Sequence, residues 1–255
     1  MHGTQFFHDV NEMLLRLYIM AGGSIFFCLN FNLMEVVCEM KTNTKTFRLV
    51  FSALMIAISI VLSIFKFEFP FGGSITIFSM VPLVLVSQMY GLGWGMLTCS
   101  VYGLVQLALG LDNFGYVSCI VAYAVVFLFD YVLAFSMMGL SALTRKMNNR
   151  AVAAGLGAFI GCTARFVCHF ISGCTVWGEY AAYWETPSFV SSALLKPSIL
   201  PYTYSFFYNC LYMIPETILT VVGSAIICTI LFEALKIDVN EPVKAAEKKA
   251  KNAEA

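Results

Sequence analysis

From Arg48 to about residue 235 the chain alternates long apolar runs with short polar breaks, and that alternation restricts it to very few folds. Apolar runs fall at about 49–65, 74–90, 94–111, 116–141, 151–176 and 203–235. A helix needs about 20 apolar residues to cross the hydrocarbon layer, where each unpaired backbone group costs several kcal/mol. Helices meet that demand within one segment, so the expected fold class is an all-α membrane protein with six transmembrane helices. The composition agrees, with 60% hydrophobic residues, 12% charged residues and a mean hydropathy of +0.81, far from a soluble domain.

The breaks carry the turn chemistry. Lys66-Phe-Glu-Phe-Pro70-Phe-Gly72-Gly73 reads as a loop, Tyr90-Gly-Leu-Gly93 as a short turn, and Thr144-Arg-Lys-Met-Asn-Asn-Arg150 as a polar hinge. A long aromatic loop at 177–201 precedes the last run. Residues 1–39 mix Asn11, Glu12, Arg16, Asn30 and Glu35 into an apolar background and contain no clean span or signal-peptide pattern. They are expected to be a poorly ordered or spurious extension, with the functional protein beginning at Met40. Three regions follow from this reading: 1–39, a six-helix membrane domain at 40–236, and a charged cytoplasmic tail at 237–255. Lys41, Lys45, Arg48, Arg145, Lys146, Arg150 and Lys236 fall on one side, and only Lys66 and Lys196 on the other. By the positive-inside rule both termini are cytoplasmic and the 66–73 and 177–201 loops face outward.

Several chemistries are excluded early. Zero formal net charge and scattered basic residues argue against a nucleic-acid partner. Nine cysteines, spread singly with no C-x-x-C pair, read as reduced packing residues. No metal-ligand pattern is present, no cofactor is expected, and without a Walker motif the chain does not hydrolyse ATP by itself.

Polar residues inside the spans carry the functional signal, because each is costly unless paired or facing a wet cavity. Arg165, His169 and Gly173 lie i, i+4, i+8 on one helix face, with Trp177 a turn further on. Gly173 would leave room for a ligand and Trp177 would stack on it. In the fourth run Tyr116, Tyr123 and Asp130 recur at seven-residue steps. Chemistry alone supports two roles for Asp130, as the ion-pair partner of Arg165 or as the anchor of a cationic ligand. In the sixth run Asn209, Tyr212 and Glu216 share a face near Tyr204, and Pro215 is expected to kink the helix. Tyr202 and Tyr208 read as interface anchors, and Tyr102 with Gln106 as hydrogen-bonding partners. Aromatics (Trp177, Tyr131, Tyr204), a carboxylate, an imidazole and a carboxamide together suit a flat, partly cationic heteroaromatic ligand.

Gly72 to Leu83, Tyr90-Gly-Leu-Gly-Trp-Gly95, Val101-Tyr-Gly-Leu-Val-Gln106, Asp130-Tyr-Val-Leu-Ala-Phe135, Arg165-Phe-Val-Cys-His169-Phe-Ile-Ser-Gly173 and Tyr208 to Glu216 occur in order across residues 46–236. Together they resemble the thiamine-specific substrate-binding subunit of energy-coupling factor (ECF) transporters. The resemblance implies high-affinity capture of thiamine from outside, no covalent chemistry, and three partners: a transmembrane coupling subunit and two ATPase subunits. It places the substrate pocket on Asp130, Tyr131, His169, Gly173, Trp177, Tyr204 and Asn209. It also implies docking on the coupling subunit through Ala53 and Ala57 of the first span. Some relatives carry an acidic residue where this chain has Ile77, and no carboxylate occurs between Gly72 and Pro82. Rival readings are capture of a related pyrimidine or thiazole precursor, an intramembrane acid/base enzyme using Asp130 and His169, and a proton-coupled carrier working alone.

Overall fold

The structure is a computed structural model that describes residues 45–69, 73–117, 119–183 and 190–234. The expectations for residues 1–39, for a start at Met40 and for the tail at 237–255 lie outside the described residues. Two compact units are distinguished, Met1–Phe51 and Ser52–Ala255. Described residues of the first unit form the opening turns of helix α1 (Lys45–Ile64), where the rings of Phe47 and Phe51 stack 5.7 Å apart. Everything below concerns the second unit.

After α1 come a two-stranded antiparallel ribbon, β1 (Lys66–Glu68) and β2 (Ser74–Thr76), then α2 (Val81–Tyr90) and α3 (Leu92–Leu109). A short 3-10 turn at Leu111–Tyr116 leads to α4 (Ile120–Thr144), which is followed by α5 (Arg150–Thr175) and α6 (Leu200–Ala234). Among the described residues, five of these six helices, all but α2, are long and apolar enough to cross a membrane. The fold is an all-helical membrane protein, as the apolar runs required.

The second run differs from expectation. Instead of a span at 74–90, it is strand β2 followed by a helix of 10 residues, about 15 Å long against a hydrocarbon layer of about 30 Å. The reason is local. Ser74-Ile75-Thr76-Ile77 alternates polar and apolar residues with a strand's period of two, and β2 pairs Lys66 with Thr76, Phe67 with Ile75 and Glu68 with Ser74. Phe78 then takes a left-handed turn (φ 58°), and Pro82 sits in the first turn of α2, where its missing N–H costs nothing. From Val81 to Met89 every residue of α2 is buried, so this short helix is enclosed by its neighbours on all sides. Gly91 (φ 89°) turns the chain straight into α3. A side chain there would be strained and would strike the guanidinium of Arg145.

Helix α4 is not uniformly wound. It is α-helical over Ile120–Val125, π-helical over Val126–Leu133, α-helical again at Ala134–Ser136 and 3-10 over Met137–Thr144. Asn149 caps α5, its Oδ1 accepting the N–H of Val152 at 3.1 Å. Helix α6 runs on through Pro215, and its 35 residues span about 52 Å. Gly95, Gly103 and Gly110 of α3 and its C-terminus lie against Ser87, Phe135 and Tyr131, whereas nothing stands within 4 Å of Gly93. Most of these glycines therefore serve close helix packing.

Candidate functional site

The π-helical turn of α4 carries Asp130 and Tyr131. Its i→i+5 bonding widens the turn and breaks the seven-residue register of a regular helix. Tyr116 lies outside α4, at the end of the 3-10 turn, and Tyr123 precedes the π segment, so neither keeps a regular seven-residue step to Asp130. Both are exposed, and Tyr123 stacks on Phe114 at 5.6 Å. The expectation of two phenols and a carboxylate on one face is thus corrected.

Asp130 is surrounded by three donors from α5 and the turn after it. His169 Nδ1 lies 2.9 Å from Oδ1, while Ser172 Oγ (2.6 Å) and Trp177 Nε1 (3.0 Å) both donate to Oδ2. Its partner is therefore not Arg165. That guanidinium pairs with Glu216 of α6, Nη1 to Oε1 at 3.2 Å with both side chains buried, and packs 4.7 Å from the centre of the Phe135 ring. Thr76 of β2 donates to the same Glu216 oxygen at 2.9 Å, tying the ribbon to the ion pair. Glu216 was read from the sequence as part of a polar face with Asn209 and Tyr212. What the sequence did not reveal is that it meets Arg165, 51 positions earlier.

An ionised carboxylate only accepts hydrogen bonds, so Asp130 fixes the proton of His169 on Nδ1. In the neutral ring Nε2 is then a bare acceptor. It is buried and has no partner among the described residues, and the same holds for Arg165 Nε and Glu216 Oε2. Unpaired polar atoms clustered this way are expected beside a binding cavity.

Such a cavity exists. It measures about 180 Å³, and its lining includes all seven residues put forward for the pocket: Asp130, Tyr131, His169, Gly173, Trp177, Tyr204 and Asn209. Tyr131 Oη donates to Gly110 O (3.2 Å) and accepts from Asn113 (3.1 Å), and its ring stacks on Phe114. Tyr204 is buried and stacks on Tyr208 at 5.4 Å. Asn209 is held at both ends: Nδ2 donates to Ser205 O at 2.7 Å, and Oδ1 accepts from Tyr212 at 2.5 Å. Gly173 touches the cavity, but its main constraint is the neighbouring helix. A Cβ there would collide with Ser205 Oγ of α6. Helix α5 ends at Thr175, so Trp177 opens a 3-10 turn (Trp177–Tyr183) and reaches the site through its bond to Asp130.

Sequence reasoning undervalued other lining residues. Tyr208, read as an interface anchor, accepts the Gly73 N–H at 3.0 Å and lines the cavity, while Tyr202 is exposed. Gln106 bonds Tyr102 (2.7 Å) within α3 and reaches Ser63 of α1 (2.8 Å), also on the cavity wall. Lys66 and Glu68 line it from β1. The Lys-x-Glu alternation of that strand was the available signal. Ala53 and Ala57 lie apart from this cavity on an exposed face of α1. Among the described residues no group of His, Cys, Asp or Glu is arranged to hold a metal ion.

Three comparisons bear on this arrangement. A family model described as thiamine transporter protein matches residues 49–236. The thiamine transporter ThiT of Bacillus subtilis (strain 168) is 30% identical over 206 residues, covering 76% of this chain and 94% of that protein. Among solved structures, ThiT from Listeria monocytogenes superposes with a TM-score of 0.52 at 21% identity, covering 75% of this chain and 96% of its own. At that identity the structural match speaks for the fold.

Proposed function

The chain belongs to the thiamine transporter protein family, and on that premise we propose that it is a membrane-embedded capture subunit that binds thiamine at the Asp130 cavity. The observation that carries this reading is the triple-donor cradle on Asp130, which orients its carboxyl group between an imidazole and an indole. A fixed negative charge suits a ligand with a permanent positive ring, and the flanking aromatic faces add attraction to a cation. The Nε2 lone pair of His169 and the Asn209–Tyr212 edge offer polar atoms to an aminopyrimidine.

The cavity lies at the ribbon end of the helices, and Arg145, Lys146 and Arg150 cluster at the α4–α5 turn at their other end. By the positive-inside rule the cavity faces outward, which suits capture from outside. Transport would be energised by a separate transmembrane coupling subunit and two ATPase subunits. The exposed Ala53–Ala57 strip of α1 is the proposed contact, because small residues at i, i+4 allow close approach of another helix. The same cradle speaks against enzymatic use of Asp130 and His169, because both oxygens of Asp130 are already occupied by donors from the protein itself. The test is to purify the protein from thiamine-containing medium and identify bound small molecules by mass spectrometry. Thiamine released unaltered at about one per chain is the expected result. An empty protein that also fails to bind added thiamine, or one that returns a chemically changed product, would overturn the proposal.

A further inference from the structure

Among the described residues two carboxylates line the cavity, Asp130 and Glu68, and Asp130 is committed to three donors. Glu216, outside the lining, is bound to Arg165 and Thr76. One lining carboxylate remains lightly engaged. Glu68 of β1 pairs with Lys66 on the same strand, and both side chains are largely exposed (64% and 44%). Screened by water, such a pair is worth about 0–1 kcal/mol, so exchanging its partner costs little.

The register of the ribbon decides which way these groups face. Alternate residues share a face of a strand, and partners directly across a ladder share it too. Lys66, Glu68, Ser74 and Thr76 therefore form one face, and all four line the cavity. Phe67 and Ile75 form the other, and Phe67 is 81% exposed. Ile77 continues the second face and is 51% exposed. A carboxylate at position 77 would therefore have extended the face that points away, whereas one at 68 reaches the cavity from the opposite strand.

We propose that Glu68 is a substrate-recognition residue that supplies a second carboxylate for a quaternary heteroaromatic cation, giving up Lys66 as that cation enters the mouth of the cavity. The inference rests on the capture reading above and adds a charge-reading residue to it. The ribbon is suited to the role because β2 is anchored, by Gly73 N–H to Tyr208 and by Thr76 to Glu216, so β1 is positioned through its pairing with a fixed strand.

Thiamine itself is the probe. Affinity of the full chain in detergent is measured for the unaltered protein, Glu68→Gln and Glu68→Asp, at about 0.02 M and about 1 M salt, bracketing weak and strong screening. Glu68→Gln should weaken binding about fivefold at low salt, with the loss shrinking at high salt, and Glu68→Asp should retain most of the affinity. No loss in Glu68→Gln, or an equal loss at both salt concentrations, would overturn the proposal, the second because it marks a purely structural effect. An unaltered protein that does not bind thiamine would sink the capture reading as well. Binding by the unaltered protein with Glu68→Gln indistinguishable from it would sink this inference alone.

Discussion

The two ends of the helices handle buried polarity in opposite ways. At the basic end it is used up in closing the structure. Gln88 Nε2 of α2 reaches Ser141 O (2.6 Å), Thr144 Oγ1 (3.0 Å) and Ala153 O (3.2 Å), joining α2 to both α4 and α5. Arg150 donates to Arg145 O at 3.0 Å across the α4–α5 turn. The Gln88 amide and the Thr144 hydroxyl both find partners there, while Ser141 Oγ does not. At the ribbon end the backbone is irregular, with a π turn, a β-ribbon and 3-10 turns, and imidazole, guanidinium and carboxylate atoms are left unpaired around a cavity. Irregular backbone at membrane depth is tolerated where it lines a wet cavity. On the proposed reading, the contrast teaches that one end holds the helices together and the other is open to a solute.

The largest effect that would sharpen this contrast is at the ion pair beneath the cavity. Arg165→Met leaves the buried Glu216 uncompensated and should cost about 3–5 kcal/mol of stability, read as a lower melting temperature in detergent. A melting temperature unchanged by that substitution would mean that the pair carries no structural load. At the opposite end, Gln88→Leu removes the amide that bridges α2 to α4 and α5, leaving the Thr144 hydroxyl alone to serve both carbonyls, and should cost about 1–3 kcal/mol of stability while leaving thiamine affinity within about twofold. Loss of affinity there would show that the two ends are not separate in function. Trp177→Ala should lose about 0.5–1.5 kcal/mol of stacking beyond its buried area, read by titrating thiamine against the remaining tryptophan fluorescence. The smallest effect on binding is expected from Ala53→Trp, which should leave affinity unchanged and abolish energised uptake in cells. Normal uptake with normal expression would place the coupling contact elsewhere.

Much of the contrast was legible in the residues. Hydropathy located the helices, because hydrocarbon length is a strong filter on apolar runs. The i, i+4, i+8 spacing put Arg165, His169 and Gly173 on one face, and all three line the cavity. Other features were hidden for physical reasons. The strand β2 sat inside an apolar run whose hydropathy outweighed its period-two alternation. The π turn leaves no compositional mark, so Asp130 was phased with Tyr116 and Tyr123 by a regular helical count that α4 does not obey. Residue chemistry leaves Asp130 open as either the partner of Arg165 or a ligand anchor, whereas packing of α5 on α6 delivers Glu216 to Arg165. The set of seven proposed substrate contacts came from family resemblance, since no local pattern announces that Tyr204 and Tyr131 line the same cavity.

The most direct test of the account is a thiamine titration of Asp130→Asn beside the unaltered protein, with melting temperature followed in both. Asparagine keeps the shape but removes the charge, and its amide presents hydrogens to a site built from His169, Ser172 and Trp177 donors. The account predicts a loss of about 10- to 100-fold in affinity, the equivalent of about 1.5–3 kcal/mol for a charged contact, in a protein that remains folded. Affinity unchanged in a folded Asp130→Asn protein would contradict the claim that this cavity is where the solute binds.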